Sequence, residues 1–411
     1  MGSVPFEPTP AALEAARRAS SETLCSECFG RLFGRMGRGL TNPQRAELLR
    51  SSRGEAELSR GADCSICHGA FEAIPNWVER VARASEGIEF ARFTCGSRWP
   101  PEDLAREEEL WRRAGTEWGE SVRSAFNREL GKALEARTQK SGGTERPDIV
   151  FLCDLPVGRV TVTIQPLYFR GRYRKLDRTL PQTKWPCRRC RGRGCDACAG
   201  SGKTYSESVE EVIAQPAVAL THAEGTRFHG MGREDIDARM LGSGRPFVLE
   251  LLRPRTRTVD VAALEEAIRT NGAGRVEVER LRVAEARDVL EVKEASPQKS
   301  YQVDVLGSVP EAKVKEALSL ALARTIAQRT PTRVAHRRAD RVRPRRIVAA
   351  ELASWTDGRF TVVVMTEAGT YVKEWVEGDG GRTEPSLAGL VGVPLKVEAL
   401  DVLEVHDTEV S

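Results

Sequence analysis

An acidic residue among glycines and arginines makes segment 228–250 the first place in this chain to look for chemistry. Gly230 and Gly232 allow backbone turns that other residues avoid, and alternating apolar residues after Pro246 predict a strand with one buried face. Asp235 would then be presented just before a rigid element. Three arginines surround this carboxylate: Arg233, Arg239 and Arg245. Their charge would balance a carboxylate and attract phosphate, although the run Gly-Arg-Glu-Asp by itself favours an ordinary charged turn.

Eight of the ten cysteines form four Cys-x-x-Cys pairs. The pairs are Cys25/Cys28, Cys64/Cys67, Cys187/Cys190 and Cys195/Cys198. With no secretion signal in the sequence, this spacing favours metal over disulfides. We expect the first two pairs to share one structural zinc, provided that the fold brings them together; two redox dithiols or independent knuckles are the alternatives.

The last two cysteine pairs form a tandem Cys-x-x-Cys-x-Gly-x-Gly repeat over residues 187–202. Its glycines permit the tight turns that direct backbone amides toward thiolates, so the repeat predicts a second zinc loop. Over these sixteen residues alone it resembles the zinc modules of DnaJ-type chaperones. We expect a structural role for it, although its four arginines could also contact an RNA backbone.

Two basic segments interrupt a chain whose net charge is only +4. Segment 170–193 has ten Lys or Arg against one acid, and segment 333–346 has seven Arg against one acid. Basic segments on an otherwise acidic protein favour binding of a polyanion. Tyrosines interleaved with arginines suit looped RNA, because the rings can stack on bases while the arginines bind phosphates. The alternative is that these arginines form an ordinary solvent-exposed surface. The candidate RNA contacts here are Arg172, Tyr173, Arg174, Lys175, Arg337 and Arg338.

The length and composition predict a soluble protein of two or three domains. Apolar residues make up 40% and charged residues 30%, no apolar run approaches a membrane span, and the N-terminus lacks the pattern of a signal peptide. We therefore expect a cytoplasmic protein without membrane contact. The sequence does not determine how many chains assemble, and we expect a monomer. Strand and helix patterns predict an α+β fold with a large, mainly antiparallel sheet. We expect a zinc-binding segment at 1–70, a substrate-binding α/β domain at 71–180 and a catalytic domain at 181–411.

Five motifs distributed along the chain carry a resemblance to a known family. They are Gly171–Lys175, Gly232–Asp237, Gly242–Phe247, Gln328–Asp340 and Gly369–Glu374. Together with the N-terminal cysteine pairs, they resemble the archaeal and eukaryotic tRNA pseudouridine synthase family called Pus-ten over nearly the whole chain. The resemblance implies a THUMP-like N-terminal region, a pseudouridine synthase domain, and the T-arm of tRNA as the substrate. One or both uridines at tRNA positions 54 and 55 would be isomerised.

The resemblance also implies roles for individual residues. Asp235 matches the catalytic aspartate of these enzymes, and Asp237 is the rival carboxylate. Tyr301 corresponds to the tyrosine that stacks on the flipped base, and Lys373 to the basic residue that pairs with the aspartate. Leu400 would close the pocket, with Leu403 as the alternative.

The implied chemistry needs no redox step and no organic cofactor. The uracil must leave C1′ of the ribose, rotate and rejoin through C5, which requires a group that attacks the sugar or removes its C2′ proton.

Two other functions remain open from the sequence. One is a non-catalytic tRNA-binding or RNA-chaperone protein built from THUMP-like and zinc modules. The other is a THUMP-bearing methyltransferase or thiolase, but the sequence has no glycine-rich nucleotide loop after a strand and no Ser-Gly-Gly-x-Asp motif.

Overall fold

The computed structural model describes residues 8–50, 57–115, 117–336 and 339–407. The chain divides into two compact units, of which unit 1 comprises Met1–Gln165 with Arg255–Arg257, and unit 2 comprises Pro166–Pro254 with Thr258–Ser411. The division into segments 1–70, 71–180 and 181–411 stays a prediction. Within the described ranges, every helix is too short or too polar to span a bilayer.

Unit 1 combines helices with a four-stranded sheet. Its helices in the described residues are α1 (Pro10–Arg18), α2 (Ser26–Gly30), α3 (Asn42–Leu48), α4 (Ile74–Ala84), α5 (Pro101–Ala114) and α6 (Val122–Thr138). Its strands are β1 (Arg92–Arg98), β2 (Ser141–Gly142), β3 (Ile149–Asp154) and β4 (Arg159–Ile164), in the order β2-β1-β3-β4. Strand β1 runs parallel to β2 and β3, and β4 runs antiparallel to β3. Local signals explain its first helix, because Thr9 caps α1 and Pro10 occupies its first turn.

Unit 2 is built on an eight-stranded sheet. Its strands are β5 (Leu167–Lys175), β6 (Gly225–Gly230), β7 (Arg239–Leu252), β8 (Val276–Ala284), β9 (Gln298–Leu306), β12 (Ile347–Thr356), β13 (Arg359–Thr366) and β15 (Lys396–His406). Their order is β12-β13-β9-β15-β7-β5-β8, with β6 paired to β7. Only β15 and β7 run parallel among these described strands. The predicted α+β fold with a large, mainly antiparallel sheet is confirmed.

Helices and a small sheet complete unit 2. The helices are α7 (Val209–Thr221), α8 (Val261–Gly272), α9 (Ala286–Glu294), α10 (Glu311–Leu322), α11 (Val372–Glu377) and α12 (Leu387–Val391). Strands β10 (Ile326–Arg329), β11 (Val342–Arg345) and β14 (Thr383–Glu384) form a three-stranded antiparallel sheet. Two apolar clusters form the core of the unit, and the side chain of Tyr301 packs against both. Tyr301 therefore lies where these two apolar clusters meet.

Candidate active site and metal-ligand clusters

The loop between β6 and β7 presents Asp235, and buried side chains hold this loop from beneath. Arg245 on β7 donates a hydrogen bond from Nη1 to the carbonyl oxygen of Met231 at 2.7 Å. Gln182 donates from Nε2 to the carbonyl oxygen of Gly232 at 2.9 Å. Gly232 has a φ of +80°, which only glycine adopts without strain, so the predicted glycine turn is present. The backbones of Met231 and Gly232, which lie shortly before Asp235, are thus held in place by these hydrogen bonds.

Glu234 anchors the same loop in the core. Its carboxylate forms an ion pair with Arg245, with Oε2 2.9 Å from Nε, and both side chains are 1% exposed. The hydroxyl of Tyr173 donates to this carboxylate at 2.8 Å and itself accepts a hydrogen bond from Gln182 at 2.8 Å. Burial, followed by the charge of Glu234, raises the pKa of Tyr173 well above its usual value, so its hydroxyl remains a donor. Since Glu234 points inward, the next residue, Asp235, lies on the open side of the loop.

Two cations lie beside the Asp235 carboxylate, whose side chain is 31% exposed. Its Oδ1 accepts a hydrogen bond from Nη1 of Arg333 at 2.9 Å. Its Oδ2 lies 3.9 Å from Nζ of Lys373, the partner expected from the sequence. Arg333 was not singled out in the sequence, although it lies in the motif Gln328–Asp340 and is one of the seven arginines of the second basic segment.

Both cations are themselves held by neighbouring groups. Arg333 donates from Nε to Glu374 at 2.6 Å and lies 5.8 Å from the ring centre of Tyr371. Lys373 lies closer to the rival carboxylate, Asp237, at 2.7 and 2.8 Å from its two oxygens. Burial opposes ionisation of Asp237, but the hydrogen bond and charge of Lys373 lower its pKa overall. Lys373 therefore bridges the two carboxylates, while Arg333 contacts Asp235 directly.

Tyr301 and Leu400 lie on one face of the large sheet. Tyr301 on β9 pairs with Val402 on β15, and Leu400 pairs with Val303 two residues along. Because side chains alternate between the faces of a strand, Leu400 shares the face of Tyr301. Leu403 lies at an irregularity in the pairing, so this geometry favours Leu400 for the pocket.

The phenol of Tyr301 is held in its neutral form. Burial raises its pKa, Arg245 opposes this, and the charges of Asp235 and Glu234 raise it further. At neutral pH the side chain therefore offers an uncharged ring and a hydroxyl. Within the described part of the chain, this hydroxyl forms no hydrogen bond.

Four residues expected to contact RNA are buried and occupied by internal contacts. They are Arg172, Tyr173, Lys175 and Arg245. For example, Arg172 binds Asp407 at 2.8 and 3.0 Å, and Lys175 donates to three backbone carbonyl groups. Their burial and internal partners leave these four side chains little surface to offer a phosphate, and their role in RNA binding stays a prediction.

Three other predicted RNA contacts keep part of their surface exposed. Arg174 pairs with Glu277 and Glu279 across neighbouring strands. Arg239 binds Asp401, with Nη2 2.6 Å from Oδ2. Arg233 lies over the ring of Trp185, 5.0 Å from its centre. Their role in RNA binding stays a prediction. Arg337 and Arg338 lie outside the described residues.

The first four cysteines meet in the core of unit 1. The sulfur atoms of Cys25, Cys28, Cys64 and Cys67 all lie within 4.8 Å of one another. A hydrogen bond from Ser65 N to Thr23 O at 2.9 Å and a bridge between Cys25 and Ser59 bring the two distant pairs together. Four thiolates at these distances suit a tetrahedral metal ion.

The second set of four cysteines forms a turn-rich loop in unit 2. The sulfur atoms of Cys187, Cys190, Cys195 and Cys198 also lie within 4.8 Å of one another. The amides of Gly194 and Gly202 donate to the sulfurs of Cys190 and Cys198, each at 3.2 Å. A Cβ on Gly202 would lie 2.4 Å from the carbonyl oxygen of Gly192, so the turn requires glycine. Such amide donors stabilise thiolates, and the loop could hold a metal ion.

Two family models match the chain. Residues 168–406 match the model described as Pus10, C-terminal, and residues 77–154 match the model described as Pus10 THUMP domain, archaeal. Together with the loop that carries Asp235, these matches place the protein in the class of pseudouridine synthases, which are isomerases. The chain belongs to the Pus10 family, the family called Pus-ten above. The expected family, the THUMP domain and the enzymatic class are confirmed, and the non-catalytic alternative is not favoured.

Curated relatives align over almost the whole chain. The proteins named tRNA pseudouridine synthase Pus10 from Methanothrix thermoacetophila and Methanopyrus kandleri are 42% and 41% identical; both alignments cover 93% of this chain, and 91% and 95% of the relatives. The protein of the same name from Pyrococcus furiosus is 38% identical, with 96% and 98% covered. Among solved structures, a Cbf5-Nop10-Gar1 complex matches with 18% identity and a TM-score of 0.32, covering 58% of this chain and 48% of that one.

Proposed function

We propose that this protein isomerises uridine to pseudouridine in the T-arm of tRNA, at one or both of positions 54 and 55. The curated relatives are named tRNA pseudouridine synthases, and THUMP domains bind RNA. The observation that carries the proposal is the arrangement of the catalytic loop. The buried Glu234–Arg245 pair fixes the backbone, so Asp235 is held on the open side of the loop between Arg333 and Lys373.

Asp235 is the group that acts on the ribose of the flipped uridine. Its carboxylate either attacks C1′ or removes the C2′ proton as the bond from C1′ to N1 breaks. The uracil then rotates, and C5 bonds to C1′ as the carboxylate leaves C1′ or returns the proton to C2′. The proton at C5 is lost while N1 gains one. The product has the same atoms as the substrate, so the reaction consumes neither an oxidant nor a second substrate.

The neighbouring residues support this step in different ways. Tyr301 provides the ring on which the flipped base stacks, and its raised pKa favours stacking over action as a phenolate base at neutral pH. Arg333 and Lys373 orient Asp235 and compensate charge that develops during bond cleavage. Leu400 closes the apolar side of the pocket.

Each cysteine cluster holds one structural zinc ion in this proposal. Bound zinc would cross-link distant parts of the chain and contribute folding free energy. The first cluster would join the segments around Cys25 and Cys64, and the second would close the loop from Cys187 to Cys198. Neither ion takes part in the reaction, because the ligand sets are complete and Asp235 belongs to neither.

A T-arm transcript tests the proposed function directly. Wild-type protein should form pseudouridine at position 54, 55 or both, detected by chemical labelling and sequencing. Asp235→Asn should abolish the product but still bind the transcript, whereas Glu266→Gln, the loss of one negative charge on the exposed face of α8, should retain activity. Wild-type protein that binds tRNA but leaves every uridine unmodified would favour the non-catalytic alternative.

The monomeric state and cytoplasmic location also belong to this proposal. Light scattering of the purified chain would test the monomer, since a dimer would double the measured mass. Fractionation of cells that express the chain would test the location.

A further inference from the structure

Lys299 is a buried lysine that pairs with no carboxylate of the described residues. It lies on β9, two residues before Tyr301 and on the same face of the sheet, and is 9% exposed. Its ammonium group donates one hydrogen bond, to the carbonyl oxygen of Pro297 at 3.2 Å. Among the described residues, no carboxylate lies within ion-pair distance of it. A buried charge without a counter-ion costs folding free energy, so its presence calls for an explanation.

Lys175, which is also buried in unit 2, shows what a structural role looks like. Lys175 donates to the carbonyl oxygens of Ile236, Leu180 and Asp235 at 2.6, 3.0 and 3.4 Å. These contacts use all three donors of an ammonium group and tie the catalytic loop to β5. Lys299 uses one donor, which leaves two for a group outside the described structure.

The free donors of Lys299 lie beneath the turn that precedes the catalytic carboxylate. A Cβ on Gly232 would lie 3.9 Å from Nζ of Lys299 and 3.1 Å from Nη1 of Arg245, and Gly232 itself is exposed. Glu234 neutralises Arg245, so Lys299 leaves one uncompensated positive charge at this turn. Burial and the neighbouring Arg245 lower the pKa of Lys299 to about 8, so it is charged at neutral pH.

We propose that Lys299 binds a phosphate of the RNA backbone adjacent to the reacting uridine. The inference rests on the proposed function and adds an anion-binding site to it. A compact ammonium group suits a phosphate oxygen, and the bound phosphate would supply the missing counter-charge. Side chains two residues apart on a strand are separated by roughly 7 Å. That spacing allows one nucleotide to place its base on Tyr301 and its own phosphate at Lys299.

Replacement of Lys299 by methionine gives the first test. Lys299→Met should weaken binding of a T-arm stem-loop, with Kd raised about 10- to 100-fold, and Lys299→Arg should retain part of the affinity. The melting temperature of Lys299→Met should be unchanged or higher, because an unpaired buried charge is removed. A lysine with a merely structural role would show the opposite, lower melting with unchanged Kd. Lys396→Met, at an exposed site on β15, controls for the loss of one positive charge.

A neutral backbone linkage identifies the phosphate. Stem-loops with a single methylphosphonate on the 5′ or 3′ side of the target uridine are compared with the unmodified RNA. One of the two modified stem-loops should raise the Kd of the wild type about tenfold but raise the Kd of Lys299→Met only slightly. This non-additivity is expected if Lys299 contacts the modified phosphate directly. Equal penalties in both proteins at both positions would overturn the proposal. Because Kd reports binding and not product formation, this result stands apart from whether the wild type forms pseudouridine.

Discussion

Glu234→Gln should both destabilise unit 2 and disorganise the catalytic loop. The substitution keeps the shape of the side chain but leaves the guanidinium group of Arg245 buried without its counter-ion. Breaking a buried ion pair from one side typically costs about 3–5 kcal/mol. Both side chains are 1% exposed, so solvent does not screen the ion pair and does not reduce this cost. The amide oxygen of the new glutamine can still accept the hydrogen bond from the Tyr173 hydroxyl. We therefore expect a loss near the lower limit, about 3 kcal/mol.

Calorimetry on the intact chain measures this loss, because it can resolve separate transitions of the two units. A double variant, Glu234→Gln with Arg245→Met, should recover part of the stability, since no unpaired charge remains in the core. Glu266→Gln on the exposed face of α8 is the matched control and should change stability by less than about 0.5 kcal/mol.

Activity provides the second measurement for Glu234→Gln. If the buried pair holds Asp235 in place, the single-turnover rate should fall while Kd for the stem-loop changes little, because the RNA does not contact Glu234. A variant with wild-type stability and rate would refute the reasoning. So would strictly additive losses in the double variant, since they would show that the two side chains do not depend on each other.

Three further predictions concern other parts of the molecule. Arg333→Met should slow the single-turnover rate about 10- to 100-fold through loss of the hydrogen bond to Asp235, and Arg333→Lys should restore part of it. The pKa of Lys299 is about 8 in the folded protein, whereas its ordinary value is 10.5. Between these two pH values the unfolded chain therefore binds a proton that the folded protein has lost. The free energy of unfolding of the wild type should therefore rise relative to that of Lys299→Met by up to roughly 3 kcal/mol from pH 8 to 10.5, as measured by denaturant titration. If the difference between the two free energies stays constant over this pH range, the charge is not buried. Elemental analysis should find two zinc ions per chain, and Cys64→Ser should lose one of them together with the helical signal of unit 1; folded, metal-free protein would argue against a structural role.

Much of the site could be predicted because its signals are local. Cys-x-x-Cys spacing identified both clusters, since two thiolates three residues apart can reach one ion from a single turn. Gly232 and Asp235 were recognisable because a glycine turn before a strand has a characteristic sequence. Tyr301 and Lys373 came from the family resemblance, and the structure places both near Asp235.

The contacts that the sequence did not reveal join residues far apart in the chain. Arg333 reaches Asp235 across 98 positions, and Arg239 binds Asp401 across 162. Nothing local distinguishes Arg333 from the other arginines of its basic segment. Its role depends on how the small sheet and α11 pack beside the catalytic loop.

By itself, the sequence determined the family and the α+β architecture, and it indicated the two cysteine clusters and Asp235 as the candidate carboxylate, because each depends on residue type and short spacing. Only the tertiary structure decided which charged side chains face inward. Arg245 and Lys299 come from different strands, yet both lie beneath Gly232. Arg245 pairs with Glu234, whereas Lys299 pairs with no carboxylate in the part of the chain that the structure describes. The physical reason is that burial and pairing of a charge depend on strand register and on partners supplied by distant segments. A count of arginines along the chain therefore could not show that the fold buries Arg172 and Arg245 in its core.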